Sequence, residues 1–132
     1  MVEGEGISLD DIEHRILRPI WRDPRIHYAL NCASLGCPNL LPFPYEAETV
    51  DHMLDAAAQA FIASGRAVFV VGDEFGASKI YDWFAGDFGG READVIAHLA
   101  RYAPPDVKAR LEGRTQIDFY RYDWRLNDMR AR

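Results

Sequence analysis

Residues 45–65, "YEAETVDHMLDAAAQAFIASG", constrain the fold more than any other stretch. Val50, Leu54, Ala57 and Phe61 recur at helical spacing, Met53 and Ala58 widen the stripe, and Gly65 suits a C-terminal cap. A helix of this kind is held mainly by whatever covers its apolar face. The next apolar run, "AVFVV" at residues 67–71, is short and β-branched, which predicts a buried strand and therefore a helix packed on a sheet.

The flanking segments fit that plan. "SLDDIEHRILRP" predicts a helix capped by Ser8 with Asp11 three positions on, striped by Leu9, Ile12 and Ile16 and ended by Pro19. "RIHYALN" predicts a central strand with Ile26, Tyr28 and Leu30 on one face and His27, Ala29 and Asn31 on the other. Gly36, Pro38, Pro42 and Pro44 mark "CASLGCPNLLPFP" as a loop. "GDEFGA" reads as a turn carrying a further short strand, and Ser78 can cap a short aromatic helix, "KIYDWFAG". "READVIAHLARYA" is a helix stopped by Pro104 and Pro105, "DVKARLEG" is another, and "TQIDFYRYDW" returns to strand. The expectation is an α+β fold over residues 1–132 as a single domain. Its sheet is small, mixed or antiparallel, with about three or four strands packed by three to five helices.

A chain of 132 residues, 48% apolar and 27% charged, can bury one core without disulfide staples. The net charge of −6 argues against nucleic acid as a partner. The last twelve residues hold four arginines against two aspartates, a mildly basic tail rather than a phosphate-tracking patch. No apolar run reaches the length of a membrane span, and the first twenty residues lack the order of a signal peptide. As it stands the chain reads as cytoplasmic; with a signal-bearing segment ahead of it, it reads as periplasmic or secreted.

Four features could carry chemistry. His27 and Cys32 could form an imidazole–thiol pair if the chain turns sharply at Asn31, and Asn31 could orient the imidazole. On spacing alone a core histidine and a small buried thiol are the better-supported reading. Cys32 and Cys37 are separated by four residues, enough for a small disulfide loop bent at Gly36. They lack the two-residue spacing of thioredoxin-type pairs. With His27 and one of Asp82, Asp87 or Asp123 they could make a zinc site, a weak alternative to no cofactor at all. In "SKIYDWFAGDFGG", Trp83 and Phe88 belong to an aromatic cluster, and Asp87 either orients a histidine or caps a helix. In "YRYDWRLND", Tyr122 and Trp124 could form a stacking surface, with Asp123 a second candidate acid.

Taken in order, "SLDDIEHRILR", "HYALNCASLGCPNL", "SKIYDWFAGDFG" and "YDWRLND" resemble the domain of unknown function 547 family, over roughly residues 8–127. The resemblance implies that His27, Cys32, Cys37, Pro38, Trp83, Asp87, Phe88, Tyr122, Asp123, Trp124 and Asn127 fall on signature positions. It also implies that this chain is the C-terminal part of such a domain, or of a truncated larger α/β domain, with an N-terminal helical part absent. The face left uncovered would then favour a homodimer.

Two functional classes stay open. One is a module that binds a small molecule or a protein in a pocket lined by histidine and cysteine. The other is a thiol-centred hydrolase or transferase of papain-like or transglutaminase-like arrangement, with Cys32 as nucleophile, His27 as base and Asp87 or Asp123 orienting the ring. A redox or metal site at Cys32 and Cys37 is a third alternative. The sequence leaves undecided whether any reaction is catalysed, and slightly favours binding.

Overall fold

The computed structural model describes residues 3–128. Helix α1 occupies residues 9–21 and is built in three parts: an opening turn at Leu9–Asp11, a π-helical stretch at Ile12–Leu17 and a closing α turn at Arg18–Trp21. Its start follows from the sequence. Ser8 accepts from the Asp11 N–H, and the Asp11 carboxylate accepts from the Ser8 N–H, each at 3.0 Å.

Its end does not follow. The helix runs through Pro19 instead of stopping there. Proline lacks an N–H and crowds the carbonyl four residues back. Here the preceding stretch is already in the wider register, with the Arg18 N–H reaching Glu13 O, so the break is absorbed rather than terminal. The helix ends at Arg22, which is left-handed with φ +52°.

Residues predicted as a central strand form a short helix instead, α2, Ile26–Ala29. The cause is local. Asp23 accepts the Arg25 N–H on Oδ1 at 2.9 Å, and Pro24 presets a helical φ at the first turn. The N–H groups of Ile26, His27 and Tyr28 then bond back to the carbonyls of Asp23, Pro24 and Arg25. All three of those side chains are buried, which an alternating strand could not achieve on one face.

Helix α3, Val50–Ala63, buries Leu54, Ala58, Phe61 and Ile62, with Gly65 left-handed just beyond it at φ +79°. Strands β1, Val68–Val71, and β2, Glu74–Ser78, pair antiparallel from Val68↔Ala77 to Val71↔Glu74, and Gly72 takes φ +61° in the two-residue turn. Strand β3, Phe119–Arg121, joins β2 in parallel, giving a mixed sheet of order β1-β2-β3. The "AVFVV" run is therefore an edge, not a buried strand. Val70 and Val71 are exposed, while the central β2 carries the burial at Phe75, Gly76, Ala77 and Ser78. A Cβ on Gly76 would overlap the Phe119 ring, so the β2–β3 pairing requires glycine there.

Helix α4, Ile80–Trp83, leads into a 3₁₀ turn at Ala85–Phe88, and helices α5, Glu92–Tyr102, and α6, Pro105–Leu111, complete the covering layer. The core gathers Tyr28, Phe61, Phe75, Tyr81, Phe88, Val95 and Leu99 between the sheet and these helices. The fold class is α+β as read from the sequence. Among the described residues there are three strands and six helices, one helix more than expected because α2 replaces a strand.

Candidate functional site

The α2 helix turns His27 inward, where its side chain is 2% exposed. Its Nε2 lies 2.8 Å from Asp87 Oδ2, and its ring stacks on Phe84 with centroids 4.2 Å apart. Asp87 is presented by the 3₁₀ turn, and the same Oδ2 accepts from Arg18 Nε at 2.6 Å. Arg18 in turn meets His14 Nδ1 at 2.8 Å and lies over Phe84.

The electrostatics of this cluster have a definite sign. Burial pushes the His27 imidazolium down, outweighing the pull of Asp87, so the ring is neutral near pH 7 and donates its Nε2–H to the carboxylate. For Asp87 burial works upward, but hydrogen bonds from Arg18 and His27 outweigh it and hold the carboxyl below its ordinary value. The bond to Asp87 raises Arg18. The product is a neutral histidine held against a paired carboxylate.

Beside it, Cys32 and Cys37 are joined by a disulfide, with Cα atoms 6.2 Å apart. With its sulfur in that bond, Cys32 has no thiolate to offer. Asn31 does not orient the imidazole. Its Oδ1 accepts the Ala33 N–H at 2.8 Å and its Nδ2 donates to Pro38 O at 2.9 Å, so the amide closes the same loop the disulfide closes.

The loop is also fastened to the chain after β3. Leu35 N–H bonds to Arg125 O, Gly36 N–H to Asp123 O and Asn127 N–H to Ala33 O, with Ser34 and Leu126 forming an antiparallel bridge. Any side chain at Gly36 would collide with this partner: a Cβ there would lie 2.9 Å from both Asp123 N and the Tyr122 ring. The Tyr122 hydroxyl lies 2.6 Å from Ser34 Oγ and 3.0 Å from Cys32 Sγ.

That fastening builds an aromatic wall. Tyr122 lies 4.9 Å from Trp83 and 4.7 Å from Trp124 between ring centroids, and the two indoles are 5.3 Å apart. Trp83 is 42% exposed and Trp124 70%. The wall stands between two concavities. On one side is a cavity of about 230 Å³ that His27 and both cysteines help to line; on the other is an open groove of about 1050 Å³ that includes Lys79 and Arg121.

The residues singled out from sequence thus separate. His27 and Asp87 meet; Asp123 does not join them, being held by Arg125 at 2.6 Å, which keeps its carboxyl down at about 2. Pro38 contributes a carbonyl and Asn127 a backbone N–H, while Phe88 is a core ring edge-on to Tyr81 and His98. Among the described residues, no three or more His, Cys, Asp or Glu side chains are arranged to hold a metal ion.

Three participants escaped the sequence reading. Arg18 reaches Asp87 across 69 positions, and no local pattern signals that. Ser34 under Tyr122 is equally remote. The third is a buried chain in which the Tyr28 hydroxyl meets Tyr81 Oη at 3.0 Å and His98 Nε2 at 2.8 Å. Burial holds His98 down at about 4, so it too is neutral at pH 7. Its only sequence sign was a histidine on the apolar face of α5.

Residues 1–62 match the family model described as a protein of unknown function, DUF547. That segment supplies Arg18, His27, the disulfide loop and most of α3, whereas Trp83, Asp87, Tyr122 and Trp124 come from beyond the matched residues. The site is therefore assembled across the end of the DUF547 match, and each half is incomplete without the other. No curated protein and no solved structure matches the chain. No helix among the described residues is long and apolar enough to cross a membrane.

Proposed function

We propose that this chain is a binding module whose ligand rests against the Trp83–Tyr122–Trp124 wall, in an oxidising compartment where the Cys32–Cys37 bond persists. The observation that carries this reading is the wall itself. Large aromatic rings packed on one another yet open to solvent, between two concavities, give up free energy that a ligand recovers by covering them. The wall is braced by the disulfide loop through Tyr122, so little ordering is left for binding to impose. His27 lines the smaller cavity beside it and is held there by Asp87, which Arg18 also meets. The test is a ligand panel read by tryptophan emission. A binder should lose most of its effect in Trp124→Ala while the melting temperature stays put; a binder indifferent to both Trp124→Ala and Trp83→Ala would place the site elsewhere.

A second reading is favoured by one geometric fact, the 2.8 Å His27–Asp87 bond beside Cys32. Reduction would free a thiol next to an oriented imidazole, the arrangement of a thiol-centred hydrolase or transferase. Acyl-ester turnover that appears only after reduction and vanishes in both Cys32→Ser and His27→Gln would support it. Turnover surviving Cys32→Ser would end it.

A further inference from the structure

The larger groove lies over the face of the sheet rather than along a strand edge, since Phe69 of β1, Ser78 of β2 and Arg121 of β3, which share that face by register, all line it. Its charge is one-sided. Lys79, Arg121 and Arg66 line it with no carboxylate partner among the described residues, Arg66 donating to the Cys37 carbonyl and Arg121 lying over Phe69 and Phe119, and its one acid, Asp123, is already taken by Arg125. Cations without a carboxylate partner beside exposed indoles, on a chain of net charge −6, mark a local reversal of sign.

We propose that this groove binds an acidic saccharide, with a uronate-type carboxylate on Lys79 and Arg121 and the C–H face of the sugar ring on the Trp124 indole. The proposal rests on the binding reading above and names its ligand class. Three observations select that class. Charge-assisted hydrogen bonds from ammonium and guanidinium groups recognise a carboxylate. A broad indole face offers a flat, electron-rich surface to the weakly positive C–H face of a pyranose.

The third observation disfavours the competing polymers. A peptide adding as a strand needs a free backbone edge, but the groove lies over the sheet face rather than along the free edge of β1, and the chain beside it spends its carbonyls at Asp123 and Arg125 on the disulfide loop. A nucleic acid needs many phosphate contacts, and three cations without a carboxylate partner, on an acidic chain, are too few.

The experiment titrates the oxidised chain with trigalacturonate, and with maltotriose as the neutral counterpart, by tryptophan emission and calorimetry. The acidic trimer should bind about tenfold or more tightly than the neutral one, and its affinity should fall as salt rises. Lys79→Gln combined with Arg121→Gln should weaken the acidic trimer by about tenfold or more with the melting temperature unchanged. Should the double variant melt early, the salt dependence of the unmodified chain and Lys79→Gln alone read the same term. Equal affinity for both trimers, or indifference to both variants, overturns the acidic-saccharide assignment while leaving the aromatic wall as the site. Tighter binding of tetraglutamate or of a short oligothymidylate overturns it as well, the wall reading surviving if Trp124→Ala weakens that ligand. No response of tryptophan emission to any of these probes removes both.

Discussion

Replacing Asp87 by alanine tests the central claim about the His27 cluster. Two donors converge on one oxygen: Arg18 Nε at 2.6 Å and His27 Nε2 at 2.8 Å. The donors differ in what truncation does to them. The His27 side chain is 2% exposed, so water cannot replace the lost acceptor, and a stranded buried donor costs about 1–3 kcal/mol. Arg18 is about a quarter exposed and can be rehydrated, so its ion pair adds at most about 1 kcal/mol.

The expected loss for Asp87→Ala is therefore about 1–4 kcal/mol. For a domain of this size that is a fall in melting temperature of roughly 5–15 °C. Asp87→Asn keeps an oxygen at the same place and should cost about 1 kcal/mol. The assay is urea unfolding followed by tryptophan emission, with the slope checked for constancy so that midpoints convert to free energies. An Asp87→Ala loss within about 0.5 kcal/mol, the range of an ordinary surface change, would refute the reasoning, because His27 would not depend on the carboxylate.

Three further outcomes follow from the structure. Acidification should weaken the fold from about pH 6.5 downward toward about pH 4: His98, with its folded value depressed to about 4, stays neutral while the unfolded chain takes up the proton. His27 is depressed in the same direction, and His98→Gln should flatten the decline in a pH series of unfolding curves. Cys32→Ser with Cys37→Ser should cost about 2 kcal/mol by the loop-closure estimate and shift tryptophan emission through Tyr122, measurable by denaturation and fluorescence together. Gly76→Ala should cost about 1–3 kcal/mol, since Phe119 must move and β3 with it; an unfolding curve superimposable on that of the unmodified chain would contradict the β2–β3 packing.

What the sequence disclosed was whatever is written within one or two turns of chain. The Ser8–Asp11 cap, the Leu54–Phe61 stripe, the helices around Pro104 and Pro105 and the strand after Gly72 all rest on neighbours fewer than eight positions apart. The strand expected over α2 also has a local explanation: Asp23–Pro24 is a helix-start pair, while the alternation of the following residues imitates a strand. Pro19 misled for a different reason, since a π register upstream removes the conflict that proline normally creates. The site was legible as a set of residues but not as an arrangement. Choosing Asp87 over Asp123 for His27, or finding Arg18 and Ser34 at all, required knowing which distant segments meet.

The fastening of the Cys32–Cys37 loop by Tyr122 has a consequence for synthesis. Tyr122 follows Cys32 by 90 positions. At bacterial to eukaryotic elongation rates the ribosome needs roughly 5–20 s to bridge that gap. During this interval both sulfurs have emerged and the hydroxyl that later meets Cys32 has not. Oxidation of the pair can therefore close the loop while the chain is nascent, so that the aromatic wall forms against a loop already joined.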